Sequence, residues 1–349
     1  MTDYNTNQSP DFAKISSATA MSLGLSEGRF YRNAKNRCAN LLVHYREGCA
    51  ANCAYCGLNK QRTGSWDKTF IMVQWPIFSM DTIVKAINAS PKYVKRTCIS
   101  MITNGRPQRD TIVMTKRLKE ETNISVSVLI SPTILGLDDL KALKKSGADK
   151  IGIAVDLATP ELFELYRGKG VAGPHKWEKY WQTAVNGLEI FGKRNVGIHL
   201  MVGMGETEAE MVSTIEKAWN MGAASHLFSF FAEPGSSLEN RKQPPWPTYL
   251  RIQLARYLLE EEIISASSMK FDEDGHIIDF GLTHGDIMEI MDLGTPFMTC
   301  GCIDEDGMVA CNRPFGNCLP GEKQWNYPYP PDKEELDLIK NNIFSIKPD

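Results

Sequence analysis

Three cysteines near the start of the chain have a spacing that suits one kind of metal centre. Cys49, Cys53 and Cys56 lie in the segment GCAANCAYCG, residues 48–57. The flanking glycines permit a tight loop that brings three sulfurs onto one cluster. An iron–sulfur cubane has four irons, so three thiolates leave one iron without a protein ligand. The spacing therefore predicts an iron–sulfur cluster with one iron open to a small molecule.

The alternative for this triad is a zinc site or three reactive thiols. Zinc sites of the knuckle type bring a second Cys-x-x-Cys or a His pair at short range, and none follows here. The chain has 9 cysteines, and in a reducing compartment that number is better explained by metal or catalysis than by disulfides. The iron–sulfur interpretation is therefore favoured.

A second group of cysteines lies near the C-terminus. It comprises Cys300-Gly301-Cys302, Cys311-Asn312-Arg313-Pro314 and Cys318. A solvated tail has no reason to carry thiols at this density, so we predict a second metal site. The sequence leaves open which sulfurs bind there, and the candidates are Cys38, Cys98, Cys300, Cys302, Cys311 and Cys318.

The elements that must position these cysteines alternate between short β-branched runs and longer amphipathic runs from about residue 40 to 232, which is typical of parallel strands joined by helices. The predicted strands are 40–45, 93–103, 124–130, 150–155, 195–202 and 225–231. The predicted helices include 111–119, 137–146, 177–191 and 208–221. Gly147 and Gly222 each follow a helix and precede a strand, as C-terminal caps do.

Six βα units are too few for a closed eight-stranded barrel, so we predict an α/β fold: a partial (β/α)6 barrel resembling a TIM barrel. Its reactive centre is expected at the C-terminal ends of the strands, where the cysteine triad lies. We divide the chain into an N-terminal helical extension (1–36), the barrel (37–234) and a C-terminal, cysteine-containing extension (235–349) with a helix from 249 to about 266. Trp246, Phe297 and Phe315 of that extension either cap the barrel or belong to its core.

Charge and hydropathy exclude some classes of partner. The chain carries 39 basic and 42 acidic side chains, so neither nucleic acid nor an anionic membrane is expected as a partner. The N-terminus lacks the apolar core of a secretory signal, and no stretch approaches 18 uninterrupted apolar residues. We expect a cytoplasmic protein.

With these motifs the sequence resembles the radical S-adenosylmethionine (SAM) superfamily, specifically its biotin-synthase-like branch, from about Arg37 to the end of the barrel. The resemblance implies that SAM binds the open iron of a [4Fe-4S] cluster and is cleaved to a 5′-deoxyadenosyl radical. It gives Cys49, Cys53 and Cys56 the catalytic role.

The resemblance also implies a SAM site. Tyr55 resembles the aromatic beside the adenine; its alternative is a loop anchor. Thr103 and Asn104 occupy the position of the motif that holds the SAM amino group, although the usual G-G-E residues of that motif are absent. Gly203 and Gly205, in GMGET, resemble the turn that approaches the adenine, and a strand–turn–helix junction capped by Thr207 is equally compatible.

Two charged residues complete that implied site. Asp156, in AVDLAT, resembles the aspartate of an N-L-D-T stretch and would accept from a ribose hydroxyl or orient the substrate, unless it only initiates the helix at Pro160. Arg167, in YRGKG, resembles an arginine that meets the SAM carboxylate; a surface arginine is the alternative.

One departure argues against biotin synthase itself. That family holds an auxiliary cluster with a cysteine on each of three strands, and only Cys98 matches, because Ser127 and Gly197 occupy the other two positions. The C-terminal C-N-R-P cysteines instead resemble the two-component lipoyl synthases of archaea and some anaerobic bacteria, most closely their second subunit. Trp75-Pro76 and the segment 251–257 add to that resemblance.

The resemblance implies sulfur insertion at carbon six of a protein-bound octanoyl chain, with an auxiliary [4Fe-4S] cluster held by Cys98, Cys300, Cys302 and Cys311 as the sulfur source. The implied partners are a sister radical SAM subunit, an octanoylated lipoyl-carrier protein and a low-potential electron donor such as ferredoxin or flavodoxin. The alternatives are another biotin-synthase-like reaction, such as a mutase or a metal-cofactor maturase, and a non-catalytic iron–sulfur or zinc-binding protein.

Overall fold

The computed structural model describes residues 7–62, 69–70, 73–314 and 324–345. Cys318 and Phe315, named above, lie outside the described residues. Within these ranges, none of the helices is both long and apolar enough to cross a bilayer.

An eight-stranded sheet forms the centre of the protein, in the order β10-β9-β8-β7-β6-β2-β1-β5. The six strands from β10 to β2 are parallel, and β1 pairs antiparallel with both β2 and β5. The strands of this sheet are β1 (Phe12–Ile15), β2 (Cys38–Val43), β5 (Ile77–Ser79), β6 (Arg96–Ser100), β7 (Ser125–Ile130), β8 (Ala148–Asp156), β9 (Val196–Val202) and β10 (Ala224–Ser229).

Two small hairpins accompany it, β3 (Thr69–Phe70) with β4 (Val73–Gln74) and β11 (Lys270–Phe271) with β12 (Ile277–Asp279). The helices are α1 (Ser17–Ser22), α2 (Met80–Asn88), α3 (Pro107–Glu121), α4 (Leu137–Lys145), α5 (Pro160–Tyr166), α6 (Trp177–Phe191), α7 (Glu208–Met221), α8 (Trp246–Glu260), α9 (His284–Asp292) and α10 (Lys333–Ile343).

The predicted fold class and all six predicted parallel strands are confirmed, with ends that differ by up to three residues. The helices predicted over 177–191 and 208–221 have the predicted bounds. Gly222 caps α7 in the left-handed conformation, and Gly147 follows α4 with φ +108°. Period-2 and period-3.6 patterns bounded by glycine caps therefore located the βα units correctly.

One face of each parallel strand packs against helices and the other faces the barrel interior. A Cβ added to Gly187 of α6 would lie 2.8 Å from Cδ1 of Ile151 and 3.3 Å from Cγ2 of Val196, which identifies the helix-facing side of β8 and β9. Because side chains alternate along a strand, Gly152, Gly197 and their alternate neighbours face inward. The interior surface can therefore be read from the register of the strands.

The prediction of a purely helical N-terminal extension is wrong. The segment contributes β1 to the main sheet before the short helix α1 begins, capped by Ser16. Ala13 and Ile15 are fully buried while Phe12 and Lys14 are only partly buried, the alternation of a strand covered on one face. Four residues carry too short a pattern to be distinguished from a helix by sequence alone.

The C-terminal extension packs on the barrel through α8, which ends at Glu260 rather than near residue 266. Trp246 is 2 % exposed and Phe297 is fully buried, and both belong to the same core as α6 and α7. Of the two interpretations offered for these aromatics, the core position is therefore confirmed for Trp246 and Phe297.

Candidate functional site

The cysteine triad lies in a loop that begins where β2 ends, and the ends of other strands hold that loop. The backbone N–H of Ala50 donates to the carbonyl of Thr103 at 2.7 Å, and the side-chain amide of Asn104 donates to the carbonyl of Gly48 at 2.9 Å. Thr103 and Asn104 follow β6, the parallel neighbour of β2. The structure thus brings both predicted residues to the cysteine loop, where they fix its backbone.

Backbone amides also point at two of the three sulfurs. The N–H of Ala51 lies 3.5 Å from Sγ of Cys49, and the N–H of Leu58 lies 3.4 Å from Sγ of Cys56. Hydrogen bonds to sulfur stabilise its negative form and tune iron–sulfur potentials. Burial raises the pKa of the Cys53 and Cys56 thiols, so without metal these side chains stay protonated and unreactive. The donor set therefore suits a metal cluster better than a thiol nucleophile.

Tyr55 and Asp156 meet across the mouth of the barrel. The Tyr55 hydroxyl donates to Oδ2 of Asp156 at 2.5 Å. Asp156 is the last residue of β8 and has φ +66°, a left-handed conformation that turns its carboxylate away from the strand. Pro160 and Thr159 begin α5, with Thr159 as its N-cap. Asp156 is therefore not the cap of that helix. Its carboxylate instead contacts the cysteine loop through Tyr55.

Arg167 is buried beneath the same loop, at 6 % exposure, so the alternative of a surface arginine is wrong. Its guanidinium donates to Oδ2 of Asp156 at 3.1 Å and to the hydroxyl of Tyr180 at 3.2 Å. It also hydrogen-bonds Cys53, which opposes the effect of burial on the pKa of that thiol. Arg167 thus connects a cysteine of the triad to Asp156.

Sequence reasoning missed the continuation of this network. Nδ1 of His175 lies 3.0 Å from the Tyr180 hydroxyl and 2.6 Å from Oγ1 of Thr133. Burial lowers the pKa of His175 to about 3, so its imidazole is neutral. The three residues lie on separate segments with no motif spacing, which left no signal in the sequence.

The glycine turn after β9 is held by a carboxylate that the motif itself supplies. Glu206 accepts from the backbone N–H of Gly203 at 2.7 Å and of Met204 at 2.9 Å. Gly203 and Gly205 have φ +104° and +116°. Thr207 then caps α7 in a capping box with Glu210, as the strand–turn–helix interpretation requires. Contact of these glycines with SAM stays a prediction.

The C-terminal extension covers that turn. A Cβ on Gly203 would lie 2.7 Å from Cδ of Pro244, and Nε of Arg241 donates to the Gly203 carbonyl at 2.9 Å. Arg241 also reaches the Tyr166 hydroxyl at 3.1 Å. The segment 241–244 is therefore one wall of the barrel mouth.

Four other cysteines converge at the opposite, N-terminal end of the strands, here called the base. Cys38 begins β2, and Cys98 lies on β6 beside Asn40. The side-chain amide of Asn40 lies 3.7 Å from Sγ of Cys38 and 3.9 Å from Sγ of Cys311. The Cys38 thiol hydrogen-bonds the Cys311 sulfur, which raises the pKa of Cys38 and lowers that of Cys311.

Cys302 and Cys311 reach the base on a short hairpin of the extension. The Cys302 carbonyl accepts from the N–H groups of Ala310 and Cys311 at 2.9 and 3.1 Å. Gly301 permits this approach, since a Cβ there would lie 2.4 Å from the Cys311 carbonyl oxygen. Burial raises the pKa of Cys98 to about 12 and that of Cys302 to about 11.

The hairpin is fastened to the barrel by polar contacts. Arg37 pairs with Asp304, and Arg96 donates to the carbonyl of Ile303 at 2.9 Å. Asn312 accepts from the N–H of Arg37 at 3.1 Å and donates to the carbonyls of Lys35 and Pro328 at 2.6 and 3.1 Å. The C-N-R-P motif thus positions its own cysteine against the start of β2.

The prediction of Cys300 as a ligand beside Cys98, Cys302 and Cys311 does not agree with the structure. Sγ of Cys300 accepts from the backbone N–H of Leu227 at 2.9 Å and lies in the apolar core outside the barrel strands. Cys38, another of the candidates named from the sequence, lies against Cys311.

Between the mouth and the base, the inner wall of β9 and β10 carries His199, His226 and Phe228. The rings of His199 and Phe228 stack at 5.0 Å, and those of His199 and His226 lie 5.1 Å apart. Burial lowers the pKa of His226 to about 3 and that of His199 well below its usual value. The guanidinium of Arg313 lies 3.8 Å from the Phe228 ring centre, on the base side. Sequence reasoning did not single out these residues.

In the described parts of the chain, no three His, Cys, Asp or Glu side chains are close enough to share a single metal ion. This holds for both cysteine groups. The terminal thiolates of a cubane each bind a different iron, so they need not surround one point.

Comparison with known proteins agrees with this geometry. The family model described as "Radical SAM superfamily" matches residues 44–218, half of the chain. The chain is also 25 % identical over 178 residues to the biotin synthases of Streptococcus agalactiae serotype V and serotype III. That alignment covers 50 % of this chain and 49 % of each relative, so the chain spans about half the length of the curated relatives it matches.

Proposed function

This chain belongs to the radical SAM superfamily, and from that premise we propose that it is a sulfur-insertion enzyme of the lipoyl-synthase type. Membership implies a [4Fe-4S] cluster and SAM as cofactors. The observation that carries the finer proposal is the presence of two cysteine groups at opposite ends of one barrel. The groups are separated by the length of β2, roughly 17 Å at 3.3 Å per residue.

In this proposal Cys49, Cys53 and Cys56 hold the first cluster. When bound, the first cluster supplies the electron that cleaves SAM to methionine and a 5′-deoxyadenosyl radical, and the second cluster, at the base, supplies sulfur. Thr103 and Asn104 keep the loop in place through the contacts described above. Asp156 and Arg167 would present a carboxylate and a guanidinium to the ribose and the carboxylate of SAM, and Tyr55 and the Gly203–Gly205 turn would border its adenine.

The wall between the two centres supports an acyl substrate. Leu129, Met201 and Phe228 face inward by strand alternation, and His199 and His226 are neutral. These apolar side chains and neutral imidazoles would line an octanoyl chain and exclude water, which protects a carbon radical from stray hydrogen donors, and the Arg313 guanidinium on Phe228 would border the chain at the base. Insertion at carbon six belongs to this proposal by family analogy.

The partners follow from the proposed reaction. An octanoyl chain on a lysine must be presented by a lipoyl-carrier protein, and a second sulfur requires a sister radical SAM subunit. Each turnover also needs a low-potential electron from a protein such as ferredoxin or flavodoxin. We propose a cytoplasmic location because such clusters require a reducing compartment. Neither nucleic acid nor membrane has a role in this reaction.

The test is an anaerobic assay of the reconstituted protein with SAM, dithionite, an octanoylated carrier and the sister subunit. We expect 5′-deoxyadenosine and a thio-octanoyl lysine, both detected by mass spectrometry, and neither product from the Cys53→Ala variant. Formation of 5′-deoxyadenosine without sulfur transfer, on any octanoylated carrier, would contradict sulfur insertion and favour a mutase or a metal-cofactor maturase. A fully loaded cluster that gives no 5′-deoxyadenosine would instead indicate a non-catalytic iron–sulfur or zinc-binding protein.

A further inference from the structure

We propose that Cys38, Cys98, Cys302 and Cys311 together ligate the second iron–sulfur cluster, which thereby has a protein thiolate at every terminal position. This inference rests on the proposed function only in taking the base to hold an iron–sulfur cluster. It brings in Cys38, which no family motif singles out, and it leaves out Cys300. It also distinguishes the two centres chemically, since only the first has an open iron.

The contacts between the side chains support this ligand set. Cys38 and Cys311 hydrogen-bond each other, and Asn40 contacts both of their sulfurs. Cys98 lies directly beside Asn40 in the register of β2 and β6. The thiols of Cys302 and Cys311 are each among the strongest electrostatic influences on Cys98. Each of the four thiols thus has at least one other as a close neighbour.

The charges around the four thiols are unbalanced unless an anion is present. The charged side chains with the largest effect on them are the basic Arg96, Lys150 and Arg313, and a single carboxylate, Asp149. Asp149 is already engaged by both Nη atoms of Arg96, at 2.5 and 2.7 Å. The Lys150 ammonium donates to a neutral group, Oδ1 of Asn195, at 2.6 Å.

Buried charge without compensation is costly. Arg96, Lys150 and Arg313 outnumber the single carboxylate by two, and the lowered pKa of Cys311 offsets part of that excess. A cluster with a core of charge +2 and four thiolates carries −2, whether the core has two or four irons. The mainly basic side chains around these thiols therefore suit the negative charge of a four-thiolate cluster.

A structural zinc ion is a poorer explanation of the same cysteines. Zinc holds its four ligands around one point, and the base thiols do not converge in that way within the described residues. The hairpin also does not need a metal to fasten it, because Arg37, Arg96 and Asn312 already bind it to the barrel. The cysteines instead face the barrel interior, on the side where Cys98 and Ser127 are neighbours in register.

The experiment isolates the base by removing the first cluster. A Cys49→Ala, Cys53→Ala, Cys56→Ala triple variant is reconstituted anaerobically with iron and sulfide, then analysed for iron, acid-labile sulfide and zinc. We expect iron and sulfide in equal amounts, together with the visible absorption of an iron–sulfur cluster. A triple variant that holds zinc, or iron without sulfide, or neither metal, would overturn the proposal.

The ligand set is tested in that same background. Cys38→Ala should remove at least half of the remaining iron and sulfide, and Cys300→Ala, the matched control, should retain them. Cys38→Ser covers the possibility of misfolding: it should keep the circular dichroism of the parent and shift the electron paramagnetic resonance of the reduced cluster. Retention of the parent spectrum by Cys38→Ser, or loss of iron only in Cys300→Ala, would refute this ligand set.

Failure of the proposed function can be distinguished from failure of this ligand assignment. If the unchanged chain transfers no sulfur while the triple variant holds its cluster, sulfur insertion is wrong and the ligand assignment stands.

Discussion

The Tyr55 hydroxyl lies 2.5 Å from the Asp156 carboxylate and so links the cysteine loop to the end of β8, 101 residues further along the chain. A hydrogen bond to a charged group stabilises by about 1.5–3 kcal/mol, more than one between neutral groups. The bond therefore determines where the loop stands relative to the strand ends on which SAM is expected.

We expect Tyr55→Phe to lower the rate of 5′-deoxyadenosine formation about tenfold, the equivalent of about 1.4 kcal/mol, by loosening the loop. Iron content should stay at the level of the unchanged chain, since no ligand is lost. Tyr31→Phe is the control, because Tyr31 is 47 % exposed. An unchanged rate in Tyr55→Phe would mean that the bond does not position the site.

The buried pair of Glu208 and Arg251 makes a second prediction, on stability. Nε of Arg251 lies 2.9 Å from Oε2 of Glu208, and Nη1 donates to the carbonyls of Ile343 and Ser345 at 2.9 and 2.8 Å. Glu208→Gln leaves a guanidinium without its counter-charge at 2 % exposure and should cost about 3–5 kcal/mol of unfolding free energy. Urea denaturation of the apoprotein measures this loss.

Glu120 provides the matched control for that substitution. Its pair with Lys116 is exposed, with 61 % of the Glu120 side chain accessible, so Glu120→Gln should cost less than about 1 kcal/mol. Equal losses in the two variants would contradict the assignment of α8 and the C-terminal helix to one core.

The neutral His175 predicts a dependence of stability on pH. Its pKa falls from 6.5 to about 3 on folding, so below pH 6.5 the unfolded chain binds a proton that the folded chain does not. The free energy of unfolding is therefore independent of His175 titration above about pH 6.5, and it decreases as the pH falls from 6.5 toward 3. Between pH 7 and pH 5 this effect lowers the free energy of unfolding by about 2 kcal/mol. The His175→Gln variant should take up one proton fewer on unfolding in this range, so its free energy of unfolding should depend less on pH.

The close packing of Gly203 against Pro244 predicts that a larger residue at position 203 lowers stability. Gly203→Ala adds a Cβ 2.7 Å from Pro244 at a residue with φ +104°, and should lower stability by about 2 kcal/mol. Gly105→Ala is the control, because a Cβ there meets no described atom within 4 Å. Thermal unfolding of the two variants distinguishes a packed wall of the mouth from a loose one.

Asn312 links the hairpin to the start of β2 through three hydrogen bonds. Asn312→Ala should weaken that attachment by about 2 kcal/mol and reduce the iron held by the triple variant, since Cys311 is its neighbour. Formation of 5′-deoxyadenosine by the otherwise unchanged chain should persist. Asn186→Ala, on α6, is the control; full iron content in Asn312→Ala would contradict the role given to this residue.

The sequence predicted the parallel strands and most helices because their periodicity is local, and it predicted the cysteine triad because all three residues lie within eight positions. Asp156 and Arg167 lie beside the triad and contact each other, which was not foreseen, and the predicted contact of both with SAM stays a prediction. Their meeting depends on the register of β8, which no local pattern contains.

The base shows the limit of such reasoning. Cys38 and Cys311 are brought together by a hairpin that returns to the opposite end of the barrel, and the Cys300 sulfur instead accepts from the backbone N–H of Leu227. Neither property follows from cysteine spacing. The four-residue strand β1 was missed for a related reason, since its pairing with β2 decides its structure.

The thiols at the base come from the beginning and the end of the described chain, and this imposes an order of assembly during synthesis. The residues that hold the first cluster have all left the ribosome before the hairpin of Cys302 and Cys311 is made, since chains are synthesised from the N-terminus at about 5–20 residues per second. The barrel therefore emerges with its lower end open for several seconds. Synthesis of the hairpin, rather than folding of the barrel, sets the earliest moment at which the proposed second cluster can be loaded.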